Sequence, residues 1–431
     1  MPRTPDLLLA GGTLLDPRTG ETRRADLLVR NGQIAELGDA LDPGDDTPVY
    51  DASGKLISPG WMDMHVHLRE PGQEHKETIE TGARAAAFGG FTAVACMPNT
   101  EPPIATRDVV EFVRKRAEGL AVDVYPIGAV SKGRRGELLA ELGDMAEGGA
   151  IAFSDDGAPV QHAGLMRRAL EYARTLDKPI LQHAEDLTLN PHGHMHEGAV
   201  ATRLGVPGIP ALAEEVMIAR DALLAAFTGG HVHVCHLSTA GAVALVRRAK
   251  AEGVRMTAEV APHHFALTDE AVAATEYDTH TKMHPPLRTA ADVAAIKEGL
   301  RDGTLDAIAT DHAPHASFEK EVEFTAAPFG ILGLETCWGL TVRELVRPGV
   351  LPLAEAVYKL CVAPREILRL PVPSLAAGEA ANLTVFDAET AWTFEARHIR
   401  SKSRNTPFLG APMLGRAWAI YNRGQLVEAE G

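Results

Sequence analysis

The chain has 431 residues, enough for one large domain and a smaller one beside it. Its 45% hydrophobic and 23% charged content is that of an ordinary soluble globular protein and argues against a disordered chain. The formal net charge of −16 argues against nucleic acid or an anionic membrane as partner, while a local basic pocket still leaves room for a small anionic substrate.

Cys96, Cys235, Cys337 and Cys361 are far apart and form no Cys-x-x-Cys pair, so they read as reduced, buried residues of a cytoplasmic protein. The opening Met1-Pro2-Arg3-Thr4-Pro5-Asp6 carries no signal-peptide pattern. No apolar run is long enough to span a bilayer.

Residues 6–57 read as short strands and turns, with Gly11-Gly12 and Asn31-Gly32 as turn signals. From about residue 56 to 313 apolar strands alternate with amphipathic helices. The strand candidates are residues 61–67, 91–97, 123–130, 150–154, 179–183, 231–237, 255–261 and 305–310. The clearest helices between them are 77–88, 107–118, 161–175, 211–227 and 240–251. Such alternation implies right-handed βαβ units and a parallel sheet, and eight units close into a (β/α)₈ barrel. A doubly wound open sheet is the alternative, because periodicity alone does not show closure.

A barrel puts its chemistry at the C-terminal ends of its strands. The first strand ends in His65 and His67, the second in Met97-Pro98-Asn99, the fourth in Asp155-Asp156-Gly157. The fifth ends in His183-Ala184-Glu185, the sixth in His236, the eighth in Asp311-His312-Ala313-Pro314-His315. A loop at 316–333 and helices near 334–347 and 353–368 follow. From about residue 371 the pattern returns to strands. The expected organisation is a metal-dependent hydrolase barrel at 58–370, with residues 1–57 and 371–431 forming one composite β domain.

His65 and His67 share one face of a strand, so both imidazoles can reach one metal ion. A catalytic zinc takes three protein ligands and an open position, so His65, His67, Asp156, His183, His236 and Asp311 suit two ions better than one. A carboxylate can bridge two ions with its two oxygens. Asp156 or its neighbour Asp155 is the candidate, and Gly157 favours Asp156 by allowing close backbone approach. Two zinc ions would activate a bridging water and polarise a carbonyl, and Asp311 would take the proton and pass it to a leaving nitrogen. The implied reaction is hydrolysis of an amide-like bond, or its reversal. Arg69, two residues beyond His67, offers a planar fork for a carboxylate.

The other histidines carry structural expectations. His192, His194 and His196 lie in a Pro/Gly-rich loop. Strand parity puts His231 and His233 on the face opposite His236. His263 and His264 end the seventh strand. His75, His162 and His398 are expected at the surface.

The runs His65-Val66-His67-Leu68-Arg69-Glu70-Pro71-Gly72, Met97-Pro98-Asn99-Thr100, Phe153-Ser154-Asp155-Asp156-Gly157, Cys235-His236-Leu237-Ser238-Thr239 and Thr310-Asp311-His312-Ala313-Pro314-His315 together resemble bacterial type I dihydroorotases of the amidohydrolase superfamily. The resemblance runs along nearly the whole chain, including Pro328-Phe329-Gly330-Ile331. It implies a (β/α)₈ barrel with a composite β domain and two zinc ions. His65, His67 and Asp311 would hold one ion, His183 and His236 the other, with Asp156 as bridge and Asp311 as proton shuttle. Arg69 and Asn99 would grip the substrate carboxylate. His67, His284, His315 and the Phe329-Gly330 backbone complete the substrate-binding set.

The implied reaction interconverts (S)-dihydroorotate and N-carbamoyl-L-aspartate in pyrimidine synthesis. Many superfamily relatives bridge their metals with a carboxylated lysine. Asp155-Asp156 here argues against a hydantoinase or allantoinase, the alternative activity, and Lys132 is a weaker rival for a modified lysine. A silent partner of aspartate transcarbamoylase is a further alternative, and intact ligand positions argue against it. A homodimer also suits the family. One departure is His284 in Lys282-Met283-His284-Pro285-Pro286, where the family usually has asparagine.

Overall fold

The computed structural model describes residues 6–429. Residues 1–5, where the signal-peptide reading falls, lie outside the described residues. Strands at Trp61–Val66, Phe91–Cys96, Asp123–Pro126, Phe153–Ser154, Ile180–Gln182, Val232–Val234, Met256–Val260 and Ala307–Ile308 are the first to eighth strands of one parallel ring. The first three pair in sequence, as do the fourth to eighth. A parallel bridge between Gly128 and Phe153 joins the third to the fourth, and one between Val66 and His312 joins the first to the chain leaving the eighth. The ring closes, so the fold is a (β/α)₈ barrel and not an open doubly wound sheet.

Period-two alternation makes the barrel. Met62, Met64, Ala93, Ala95, Leu181, Ala307 and Ala309 belong to one apolar cluster that fills the interior. Val94 and Cys96 point the other way and pack with helix residues such as Ala83 and Ala86. The helix Leu353–Ile367 adds Ala363 and Ile367 to the interior cluster and closes the end away from the site.

Threonine caps start several helices. Thr78 opens Ile79–Phe88, Thr239 opens Ala240–Ala251 and Thr289 opens Ala290–Arg301. The first of these starts two residues later than its periodicity suggests. Glu77 is drawn out of it into buried contacts with Ser401 Oγ, the Lys402 amide at 3.1 Å and His312 Nε2 at 3.4 Å. The helix expected at 334–347 is an α-helical turn, Cys337–Thr341, running into a π-helical turn, Val342–Val346.

Both ends of the chain share a sheet. Leu383–Thr393 pairs antiparallel with Leu56–Pro59, which lies beside Thr13–Leu15, and Pro412–Asn422 covers its other edge. A second sheet holds Leu7–Ala10 between Asp26–Arg30 and Val49–Asp51. Leu9, Leu27, Ile34, Ile57, Leu383 and Val385 make their common core.

Trp61 joins this β layer to the barrel. Its buried ring lies 4.8 Å from Trp338, 5.0 Å from Phe386 and 6.2 Å from Phe91, and its Nε1 donates to Ser58 Oγ at 3.0 Å. Trp61→Ala is expected to cost about 3–5 kcal/mol of unfolding free energy. A urea midpoint unmoved by the change would contradict the joint.

His398 is a correction. It is buried, with its ring 4.9 Å from Trp392 and its Nδ1 accepting from the Glu395 amide at 3.0 Å. His75 and His162 are exposed. The four cysteines are buried and unpaired. Among the described residues, no helix is long and apolar enough to cross a membrane.

Candidate active site

The first strand slips register against the second between Asp63 and Val66, a bulge that re-aims the residues after it. Beyond the bulge His65 and His67 point into the mouth of the barrel. The His67 amide donates to His312 O at 2.8 Å and ties the first rim segment to the eighth. Three rim residues sit in left-handed backbone: Arg69 at φ +61°, His236 at +35° and Asp311 at +49°. Such φ values are strained for side chains of this size, and strain held in place by its surroundings clusters at working sites.

Asp156 lies between two groups. Its Oδ2 is 3.4 Å from His65 Nε2 and 3.5 Å from His67 Nε2. Asp311 Oδ1 faces the same two nitrogens at 3.6 and 3.0 Å. The other oxygen of Asp156, Oδ1, is 3.3 Å from His236 Nε2 and 3.6 Å from His183 Nδ1. Those two nitrogens are 3.0 Å apart. One carboxylate thus presents an oxygen to each group.

All six side chains are buried. Burial opposes ionisation of Asp156, but the surrounding His65, His183 and His236 hold its carboxyl well below the ordinary carboxylate range. Burial likewise opposes charge on His65, and the Asp156 and Glu259 carboxylates outweigh it and hold the imidazole well above its usual value. Such converging nitrogen and carboxylate donors, buried away from water, are what a cation requires. His65 Nε2 is buried with no well-aligned hydrogen bond among the described residues, which fits a nitrogen kept for a metal. Either group could hold an ion, and Asp156 could touch both.

The far nitrogens of three of these rings face acceptors, as metal-binding histidines usually do, His65 Nδ1 lying 2.6 Å from Glu259 Oε1. His67 Nδ1 donates to Asn99 Oδ1 at 2.7 Å, and His183 Nε2 faces Glu185 Oε2 at 3.5 Å. His284 Nε2 approaches the same Glu185 oxygen at 2.5 Å, and its ring stacks on Phe329 at 4.6 Å.

Asp155 is turned away. It accepts from the Ser131 amide at 3.0 Å and from Ser131 Oγ at 2.5 Å. Ser131 therefore separates the two aspartates, and Gly157 does not: a Cβ there would meet only Asn99 Nδ2, at an ordinary 3.6 Å. Lys132 is exposed and pairs with Glu141 at 3.0 Å, far from a bridging role.

A cavity of about 300 Å³ opens above the six side chains, lined by Arg69, Asn99, His284, His315, Phe329 and Gly330 among others. Arg69 is buried, and its Nε donates to Pro314 O at 3.1 Å. Burial draws its guanidinium down to about 10, still charged at neutral pH. An acidic protein thus presents a fixed cation in this cavity. His315 Nε2 donates to Phe329 O at 2.8 Å. Gly330 has φ +121°, and a Cβ there would meet Ala313 Cβ at 2.6 Å, so the loop needs glycine at this point. Buried Lys282 orders the same loop by donating to Phe324 O, Thr325 O and Ala327 O at 2.7–3.0 Å.

The expected parity of His231 and His233 is also corrected. The sixth strand ends at Val234, and the positive φ of His236 carries its side chain inward off the strand. His233 points inward as well, with its Nε2 3.2 Å from Glu259 Oε2. Glu259 and Glu185 are the residues that motif reading left without a role. The available signal for Glu259 is a lone carboxylate inside the apolar strand Met256–Val260. His196 sits in a two-residue strand and accepts from Arg288 Nη1 at 3.1 Å, a structural contact. His263 and His264 are buried in the short helix Pro262–Ala266.

A family model for dihydro-orotase-like proteins matches residues 54–242. A curated dihydroorotase from Pelotomaculum thermopropionicum is 54% identical over 421 residues, covering 98% of this chain and 98% of its own. Another from Syntrophus aciditrophicus is 51% identical, covering 98% and 99%. Among solved structures, the L-hydantoinase (dihydropyrimidinase) from Arthrobacter aurescens superposes with a TM-score of 0.87 at 25% identity, covering 99% of this chain and 96% of its own.

Proposed function

Because the chain belongs to the dihydroorotase family, we propose that it is a dihydroorotase with two zinc ions at the barrel mouth, interconverting (S)-dihydroorotate and N-carbamoyl-L-aspartate in pyrimidine synthesis. The observation that carries the metal pair is the Asp156 carboxylate, with one oxygen toward His65 and His67 and the other toward His183 and His236. His65, His67 and Asp311 would hold one ion, and His183 and His236 the other, with Asp156 shared.

When bound, such ions supply a hydroxide nucleophile near neutral pH and polarise the ring carbonyl. Asp311 takes the proton of the attacking water at its carboxylate and returns it to the ring nitrogen as the C–N bond breaks and the new C–O bond forms. Arg69 holds the substrate carboxylate with its fork, and Asn99 helps through the amide nitrogen left free by its bond to His67. His284, His315 and the Phe329-Gly330 backbone line the ring. Glu185 and Phe329 fix the imidazole of His284, so it can stand where the family usually has asparagine.

The structural likeness to an L-hydantoinase supports the cyclic-amidase chemistry. The fixed cation Arg69 favours a charged ring over an uncharged one. The buried, unpaired cysteines suit a reducing compartment, which supports a cytoplasmic enzyme.

Dihydroorotate opening by the zinc-loaded protein, measured before and after chelation, tests this reading. Turnover is expected to fall to background when the metal is stripped and to return with added zinc. Full turnover in protein shown to be metal-free would overturn the metal role. No turnover in loaded protein would overturn the assignment.

A further inference from the structure

Below the six mouth residues, a polar column continues into the apolar interior of the barrel. His65 Nδ1 is 2.6 Å from Glu259 Oε1. Glu259 Oε2 is 3.2 Å from His233 Nε2, an electrostatic contact too poorly aligned to count as a hydrogen bond. His233 Nδ1 is 2.8 Å from Thr257 Oγ1, and the same hydroxyl is 2.8 Å from His231 Nε2. Residues 231 and 233 alternate on the sixth strand, 257 and 259 on the seventh, and His233 is paired in register with Thr257. All four therefore share the inner face. Glu259 and His233 are 1% and 0% exposed, so neither is solvated by bulk water.

The proton positions follow from what each group can donate. Glu259 has only acceptors when ionised, so the His65 Nδ1 that faces it at 2.6 Å carries a proton. Thr257 Oγ1 joins His233 to His231 by two hydrogen bonds, one of which it donates and one of which it accepts. The consequence falls at the top: in the neutral form that binds a metal, His65 keeps its proton on Nδ1, and its Nε2 lone pair faces the space shared with His67, Asp156 and Asp311.

We propose that Glu259, braced by His233 and Thr257, is the positioning residue that fixes the tautomer and orientation of His65 and so sets the affinity of the ion held by His65, His67 and Asp311. This rests on the metal reading given above. Among the described residues neither His183 nor His236 is hydrogen-bonded or ion-paired to Glu259, His233 or Thr257, so the effect would fall on one of the two ions. A purely structural role would weaken both together or neither.

The test is stepwise zinc affinity, measured by competition with a chromophoric chelator, for the wild type and for Glu259→Gln, with thermal unfolding alongside. The wild type is expected to bind two ions per chain. E259Q keeps the shape but loses the charge, and is expected to weaken one binding step about 10–100-fold while leaving the other within twofold. Thr257→Val keeps the volume and cuts the brace one link further away. It is expected to weaken the same step several-fold, and it carries the test if E259Q does not fold. Equal affinities in a folded variant and the wild type would overturn the proposal and leave the two-ion centre standing. Equal weakening of both steps would also overturn it. A wild type that binds no zinc would overturn the metal reading and this proposal with it.

Discussion

Replacing Asp311 by asparagine is expected to lower kcat for dihydroorotate about 10²–10⁴-fold, the range for loss of a positioned acid–base group. The amide matches the carboxylate in size, so the barrel rim keeps its shape. It cannot accept the proton of the attacking water, and it removes the anion that faces His67 Nε2 at 3.0 Å. Asp311 sits at φ +49°, a conformation asparagine adopts more readily than most residues, so the variant adds little backbone strain. The check is kcat at saturating zinc together with bound metal. A kcat within a few-fold of the wild type would remove Asp311 from the mechanism.

Arg69→Ala is expected to raise KM for dihydroorotate and to lower kcat/KM roughly 30- to several-thousand-fold. That is the equivalent of about 2–5 kcal/mol for truncating one side of a buried charge pair. Metal content is expected to stay at the wild-type level, because Arg69 is not among the six converging side chains. Arg69→Lys keeps the charge but not the planar fork, so an intermediate loss is expected. If R69A instead lost metal and kept its KM, the guanidinium would be supporting the rim and not the substrate.

Much of this arrangement is legible in the sequence. Period-two apolar runs mark the eight strands, and a barrel demands its chemistry at their C-terminal ends. Reading the rim residues in order therefore assembles six side chains that the structure brings into one cluster. The strands themselves are shorter than their apolar runs. The fourth is only Phe153–Ser154, because the flanking backbone turns into the loops that carry Asp155 and Asp156.

Other features depend on three dimensions. Asp155 and Asp156 are chemically identical neighbours, and only the position of Ser131 tells them apart. Parity fails between His233 and His236 because a positive φ intervenes. Glu259 is a single carboxylate in a strand, with no spacing to announce it, and its meaning appears only when the sixth and first strands close around it. His398 gives no sign in sequence that Trp392 folds over it.

The measurement that bears most directly on the account is kcat/KM of the zinc-loaded protein for (S)-dihydroorotate with hydantoin alongside. The fixed charge of Arg69 in a cavity of about 300 Å³ predicts a preference of at least about 10²-fold for the ring bearing a carboxylate. Equal or better opening of hydantoin would contradict it, and would make His284 and Phe329 the determinants of an uncharged-ring amidase.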